Sequence, residues 1–239
     1  MATVILVRHG RTTANTSGTL AGRLPGVGLD DVGSEQAARA GVRIAAVPLA
    51  AVVSSPLERC RETARAIVKA HPQRLRVGTE RGLTECDYGE WQGRPLKDLA
   101  REKLWKTVQS QPSAVAFPGG ETMPEMQARA VSAVRRRDTT VENQHGAHAV
   151  WVAVSHGDVI KSILADALGM HLDLFQRLHV DPGSASIVSY TDSRPFVLAT
   201  NTHAGDLAWL APPAGRKRRR SADAQVGGGA GPDARPTRG

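Results

Sequence analysis

The chain has 239 residues, 41% hydrophobic and 23% charged, which is enough to bury a full core in one or two domains and excludes disorder throughout. Its apolar stretches, such as Val4 to Val7 and Trp151 to Val154, fall far short of the roughly 18 residues of a membrane helix, and a strand beginning at Thr3 leaves no room for a signal peptide. The net charge of +8 is uneven: residues 211–239 hold seven Arg or Lys against Asp223 and Asp233, so the first 210 residues are near neutral and present no broad basic face.

Cys60 and Cys86 are the only cysteines. Two thiols neither build a disulfide framework nor complete a zinc site, and they fit a reducing compartment, so a cytoplasmic location is expected.

In chain order, Thr3–Val7 reads as a strand, Ser34–Ala46 as a helix, Ala51–Ser54 as a strand and Leu57–Ala70 as a helix. Leu75–Val77 is a weaker strand. Met123–Val141 is a helix, Val150–Ser155 a strand, Asp158–Leu168 a helix and Leu172–Leu178 a shorter one, before strands at Ser186–Tyr190 and Phe196–Thr200. Alternating β and α elements predict an α/β fold, a three-layer α/β/α sandwich around a mostly parallel central sheet. The near-continuous apolar run Val4-Ile5-Leu6-Val7 suits a central strand buried on both faces.

Residues 1–210 form the predicted domain. Residues 211–239 carry Pro212-Pro213, the run Arg216 to Arg220, Gly227-Gly228-Gly229 and no large apolar residue after Val226. That composition predicts a disordered basic tail that contributes nothing to the core, solvated rather than committed to a partner, with any nucleic-acid binding weak and confined to it.

Two His-Gly pairs stand at the ends of predicted strands, Arg8-His9-Gly10 after Val7 and Ser155-His156-Gly157 after Val154. The carboxyl ends of strands in an open α/β sheet form the ligand crevice, so the two histidines can meet there. Each is otherwise an ordinary strand-end histidine. Ser54-Ser55-Pro56-Leu57-Glu58-Arg59 also begins where a strand ends, with Pro56 suited to the first helical turn and Arg59 projecting from it toward the sheet edge. Arg8 and Arg59 together would grip a tetrahedral oxyanion by forked hydrogen bonds, and the amides opening the helix after Gly157 would add donors.

These elements carry a family resemblance. Arg8-His9-Gly10-x-Thr12-x-x-Asn15, Ser55-Pro56-Leu57-x-Arg59-Cys60-x-x-Thr63, Glu85-x-Asp87-Tyr88-Gly89-Glu90-Trp91-x-Gly93, Phe117-Pro118-Gly119-Gly120-Glu121-Thr122 and Val154-Ser155-His156-Gly157 resemble the histidine phosphatase superfamily, whose fold is phosphoglycerate mutase-like. The resemblance spans residues 3 to about 203. It implies phosphoryl transfer in two steps through a phosphohistidine, with His9 as nucleophile and Arg8, Arg59 and His156 around the phosphoryl oxygens. The Asn15 amide and the Gly157 N–H would add donors, and Glu85 would serve as acid and then base, with Asp87 and Glu90 as the nearby competing carboxylates. No cofactor and no metal are implied, and the partner is a small phosphorylated substrate.

The short separation of Gly93 from Phe117 and the Pro-Gly-Gly-Glu-Thr element are similar to the phosphatase branch rather than to the mutases. A cofactor-dependent mutase and a non-catalytic module that binds a phosphorylated ligand are the alternatives. Arg94, Lys97 and Arg101 either read a second anionic group or line a solvated helix face. His145 and His148, three apart around Gly146, read as a solvated turn. Cys60 reads as a small buried filler or an acidified thiol beside Arg59, and Tyr88 and Trp91 either wall the pocket or pack the loop. The oligomeric state is left open, a homodimer being one option.

Overall fold

Val4 and Leu6 enter one apolar cluster while Ile5 and Val7 enter another, so the run alternates between two buried faces and must lie inside the sheet. The computed structural model describes residues 2–203 and, beyond them, Val226, Gly227 and Gly229. In chain order the elements are β1 (Thr3–Arg8), α1 (Thr13–Ser17), α2 (Asp31–Ile44), β2 (Ala51–Ser54), α3 (Glu58–Ala70), β3 (Val77–Thr79), α4 (Leu96–Leu99), α5 (Lys103–Ser110), α6 (Met123–His145), β4 (Val150–Ser155), α7 (Gly157–Ala167), β5 (Ala185–Tyr190) and β6 (Pro195–Thr202).

The six strands form one mixed sheet in the order β3-β2-β4-β1-β5-β6. The first four run parallel, and β5 and β6 add an antiparallel pair at the β1 side. One face packs on α6 and α7 through Met126, Ala130, Val134, Ile160 and Ile163, the other on α2 and α3 through Ala40, Ile44, Ala64 and Ile67. The layers are those the alternating pattern predicts. Almost every residue of α7 is buried, Asp158 and Lys161 among them. Among the described residues no helix is long and apolar enough to cross a membrane.

The boundaries differ from expectation where caps or hydrogen bonds decide. Helix α2 starts three residues earlier than predicted, because the Asp30 side chain accepts from Gly33 N at 2.8 Å and caps it. Pro56 precedes α3 instead of entering it, with Leu57 at the cap. The edge strand lies at Val77–Thr79, two residues on from Leu75–Val77, since it is defined by pairing with Val52–Ser54 and not by its own hydrophobicity. Helix α6 runs on to His145 and ends at Gly146 with φ 90°, so His145 belongs to the helix and only His148 to the turn. The segment Leu172–Arg177 is a 3₁₀ helix.

Two glycines let the loop after β1 settle against α2. A Cβ at Gly33 would stand 1.9 Å from the Arg11 carbonyl oxygen, and one at Gly10 would stand 2.2 Å from that of Gly33. No side chain fits there without moving backbone beside His9. Gly33→Ala is therefore expected to cost about 2 kcal/mol or more, a drop in melting temperature of about 4 °C or more for a domain of this size. Val42→Ala, on the exposed side of the same helix, should change stability by less than about 0.5 kcal/mol. Thermal melts of the two variants check this, and a Gly33→Ala protein as stable as the parent would contradict it.

Candidate active site

β1 and β4 are parallel neighbours in a register that sets Arg8 against Ser155. The next residue on each strand is therefore a histidine. His9 N donates to the Ser155 carbonyl at 3.0 Å, and the two rings meet edge to face with centroids 5.2 Å apart. Both are buried. His9 Nδ1 lies 2.7 Å from its neighbour's carbonyl, Gly10 O, and its Nε2 accepts from Arg59 Nε at 3.2 Å. A carbonyl cannot donate and a guanidinium cannot accept, so the proton sits on Nδ1 and the lone pair on Nε2. Burial, then the charges of Arg59 and Arg8, hold the His9 pKa well below the usual imidazole value. The ring is neutral across the physiological range.

Arg59, the second residue of α3, also donates through Nη2 to Gly22 O at 2.8 Å. Thr63 one turn later accepts from Gly10 N and donates to Arg59 O, tying the helix to the turn after His9. Arg8 is buried and donates to Val180 O at 2.8 Å and Gly229 O at 2.9 Å. Arg8 Nε and Arg59 Nη1 are buried with no hydrogen-bond partner among the described residues. His156 Nε2 lies 2.8 Å from Ser55 Oγ, and burial followed by Arg59 keeps it, too, far below the usual range.

Glu85 is buried. Its Oε1 accepts from Cys86 N at 2.9 Å, while Oε2 is 3.9 Å from His156 Nδ1, outside hydrogen-bond reach. Burial above all, then the charge of Asp158, raises its pKa to about 7, although Arg59 pulls the other way. Its segment is clamped from α6, where Arg129 donates to the carbonyls of Gly82, Thr84 and Glu85. Asp87 does not share this environment: it pairs with Arg23 at 3.1 Å and accepts from Gly89 N. Glu90 is exposed.

His9, Asn15, Arg59 and Glu85 line a pocket of about 60 Å³, with Thr12, Leu20 and Gly22 among the other walls. At roughly 10–15 Å³ per enclosed water, that is room for about four to six waters. Arg8, His156 and Gly157, the first residue of α7, are not among its lining residues. The Asn15 side-chain oxygen is taken by Thr12 in a capping box at the start of α1. Asp158, beside the motif, was not expected in the site; it accepts from Tyr88 Oη at 2.8 Å and from Gly227 N at 2.9 Å, with Lys161 Nζ 3.8 Å away.

The expectation that nothing beyond residue 210 enters the core fails at Val226, which is buried in the main apolar cluster, and Gly227 and Gly229 join it along the pocket. The reading missed this because a lone valine among glycines carries no periodic signal. The Arg216 to Arg220 run lies outside the described residues.

Other residues resolve toward packing. Tyr88 and Trp91 are core, Trp91 stacking with Trp105 at 6.1 Å. Cys60 is fully buried, 3.4 Å from His156 Nε2, and burial pushes its thiol up to about 12, so it is a filler and not an acidified nucleophile. Arg94 pairs with Glu102, and neither it, Lys97 nor Arg101 lines the pocket. His179 and His203 both hydrogen-bond Asp181. Among the described residues no three His, Cys, Asp or Glu side chains are grouped to hold a metal.

The model of the histidine phosphatase superfamily (branch 1) matches residues 4–203. The chain is 34% identical over 202 residues to the "Bifunctional protein Rv2228c" of Mycobacterium tuberculosis, covering 83% of this chain and 53% of that one, so it spans about half the length of that relative. It is 31% identical over 218 residues to the "Probable phosphoglycerate mutase GpmB" of Yersinia enterocolitica, covering 90% and 97%. Among solved structures it is similar to the α-ribazole phosphatase of Shigella flexneri, with TM-score 0.72 and 27% identity over 84% of this chain and 96% of that one. YhfR of Bacillus stearothermophilus, at TM-score 0.77 and 24% identity over 85% and 98%, shares the fold. The chain belongs to the histidine phosphatase superfamily, branch 1.

Proposed function

We propose that the chain is a metal-independent phosphomonoester hydrolase acting through a phosphohistidine on His9. The observation that carries this reading is the protonation pattern of His9, with Nδ1–H donated to Gly10 and the Nε2 lone pair turned to Arg59 beside the pocket. In the first step Nε2 attacks phosphorus, the bond to the leaving oxygen breaks, and Glu85 gives that oxygen its proton. In the second, water attacks phosphorus, the bond to Nε2 breaks, and the Glu85 carboxylate takes the water proton. Arg8, Arg59 and His156 surround the charge that spreads over the phosphoryl oxygens, with the Asn15 amide and the Gly157 N–H as further donors. Fixed guanidinium charge takes the place a metal would have.

The name of the Yersinia relative favours a mutase. Against that reading, Arg59 is the one Arg or Lys among the described lining residues, and Arg94, Lys97 and Arg101, the cations the sequence offered for a second anionic group, do not line the pocket. Turnover of p-nitrophenyl phosphate without interconversion of 2- and 3-phosphoglycerate is the expected result, and the reverse would establish the mutase.

If Glu85 protonates the leaving oxygen, Glu85→Gln should slow phosphorylation by alkyl phosphates on the order of a hundredfold or more, and by p-nitrophenyl phosphate far less, since nitrophenolate leaves unaided. Asp87→Asn should show no such dependence. Single-turnover kinetics with both substrates measure it, and equal loss for the two leaving groups would move the acid role elsewhere.

The pH dependence follows from the same groups. The first step needs Glu85 protonated and His9 neutral, and His9 stays neutral far below pH 6.5, so alkyl phosphate cleavage should fall as pH rises through about 7. Asp158 is the carboxylate that raises Glu85. Asp158→Asn should therefore move the alkaline limb to lower pH, and an unmoved or upward-shifted limb would contradict the assignment.

A further inference from the structure

Three described residues from a segment otherwise rich in Gly and Arg sit in the catalytic pocket, and their contacts are made by backbone atoms. The Gly229 carbonyl accepts Arg8 Nη2 at 2.9 Å, and Gly227 N donates to Asp158 Oδ2 at 2.9 Å. Val226 is 2% exposed and fills the apolar side of the same pocket. Gly227 has φ +73°, and a Cβ there would stand 2.8 Å from Leu20 Cδ1, so any other side chain would strain the backbone and push on Leu20.

We propose that Val226, Gly227 and Gly229 form an intramolecular competitor for the phosphate site, the Gly229 carbonyl taking the Arg8 donor that a phosphoryl oxygen takes in turnover. The inference rests on the reading that this pocket holds a phosphate group. Its physical basis is that one guanidinium N–H cannot serve both acceptors at full strength. A neutral amide oxygen makes a hydrogen bond roughly half as strong as that of a charged phosphoryl oxygen, but the segment is tethered to the site, at an effective concentration of roughly millimolar. Phosphate also reaches Arg8 Nε and Arg59 Nη1, which have no hydrogen-bond partner among the described residues. A phosphorylated ligand therefore displaces the segment, and the apparent affinity is lowered by the fraction of molecules whose pocket is open.

The test uses the full chain and inorganic phosphate as probe. Val226→Asp puts a charge into the apolar seat near Asp158, and Gly227→Val clashes with Leu20; both should release the segment. Each should lower the inhibition constant of phosphate and the KM for p-nitrophenyl phosphate together, by about five- to tenfold if the pocket is open in one molecule in five to ten, with kcat within twofold. Val226→Ile, which keeps the apolar anchor, should behave as the parent. In the unaltered chain, saturating phosphate should speed amide hydrogen exchange in the peptide that contains Val226–Gly229, a measurement that does not depend on either variant folding. Unchanged or weaker phosphate binding in the released variants, or exchange that phosphate slows or leaves alone, would overturn the proposal while leaving the hydrolase reading intact. Failure of phosphate to bind or inhibit any of these proteins would remove the phosphate-site reading, and this inference with it.

Discussion

The register of β1 against β4, Arg8 facing Ser155, is the constraint on which the site depends. Parallel pairing brings two strand ends level, and the residue after each is a histidine. A slip of one residue would turn every side chain of β1 to the opposite face and send Arg8 and His9 into different environments. The register is secured along the strand by the burial of Val4 and Leu6 on one side and Ile5 and Val7 on the other, each side chain contributing roughly 1.5–3 kcal/mol. Core packing and the geometry of the candidate site are thus one arrangement. The glycines at positions 10 and 33 extend it, letting α2 press on the turn that fixes the tautomer of His9.

The second organising factor is charge held away from water. Arg8, Arg59, Glu85 and Asp158 are all buried within one neighbourhood, where isolated charges would be prohibitive and the set is tolerable only because the signs balance. That balance sets how the groups beside the pocket titrate. Burial, reinforced by the guanidinium charges, holds both imidazole pKa values well below the usual range, and burial together with Asp158 outweighs the pull of Arg59 on Glu85, so that this carboxyl titrates at about 7. A group able to donate a proton in one step and accept one in the next needs a pKa near the working pH. Arg129, reaching from α6 to the carbonyls of Gly82, Thr84 and Glu85, ties that segment down.

Much of this was legible in the sequence, and the illegible parts share a cause. Short β-branched runs and three-to-four spacing mark elements whose faces are buried, so β1, β2, β4, α3 and α7 could be placed within a residue or two. The histidines were visible because each follows a strand directly. Asp158, Arg129 and Arg23 carry no such mark: an acid in the first turn of a helix or an arginine in the middle of one looks like solvated charge, and only tertiary contact turns it inward. The short helix α1 rests on its capping box, and α5 carries Trp105, which stacks on Trp91; at five and eight residues neither has enough turns for a periodic pattern to stand out. Val226 was hidden for the same reason, since a single apolar residue among glycines says nothing about where it lands.

The account stands on covalent transfer to Nε2 of His9. Phosphoramidate bonds survive alkali and break in acid, so single-turnover mixtures with radiolabelled substrate, quenched in each and digested, distinguish that linkage from an ester or an acyl phosphate. The account predicts label on the peptide carrying His9 after alkaline quench, its loss after acid, and no label in His9→Ala. Label on a serine or aspartate peptide, or undiminished turnover by His9→Ala, would contradict it.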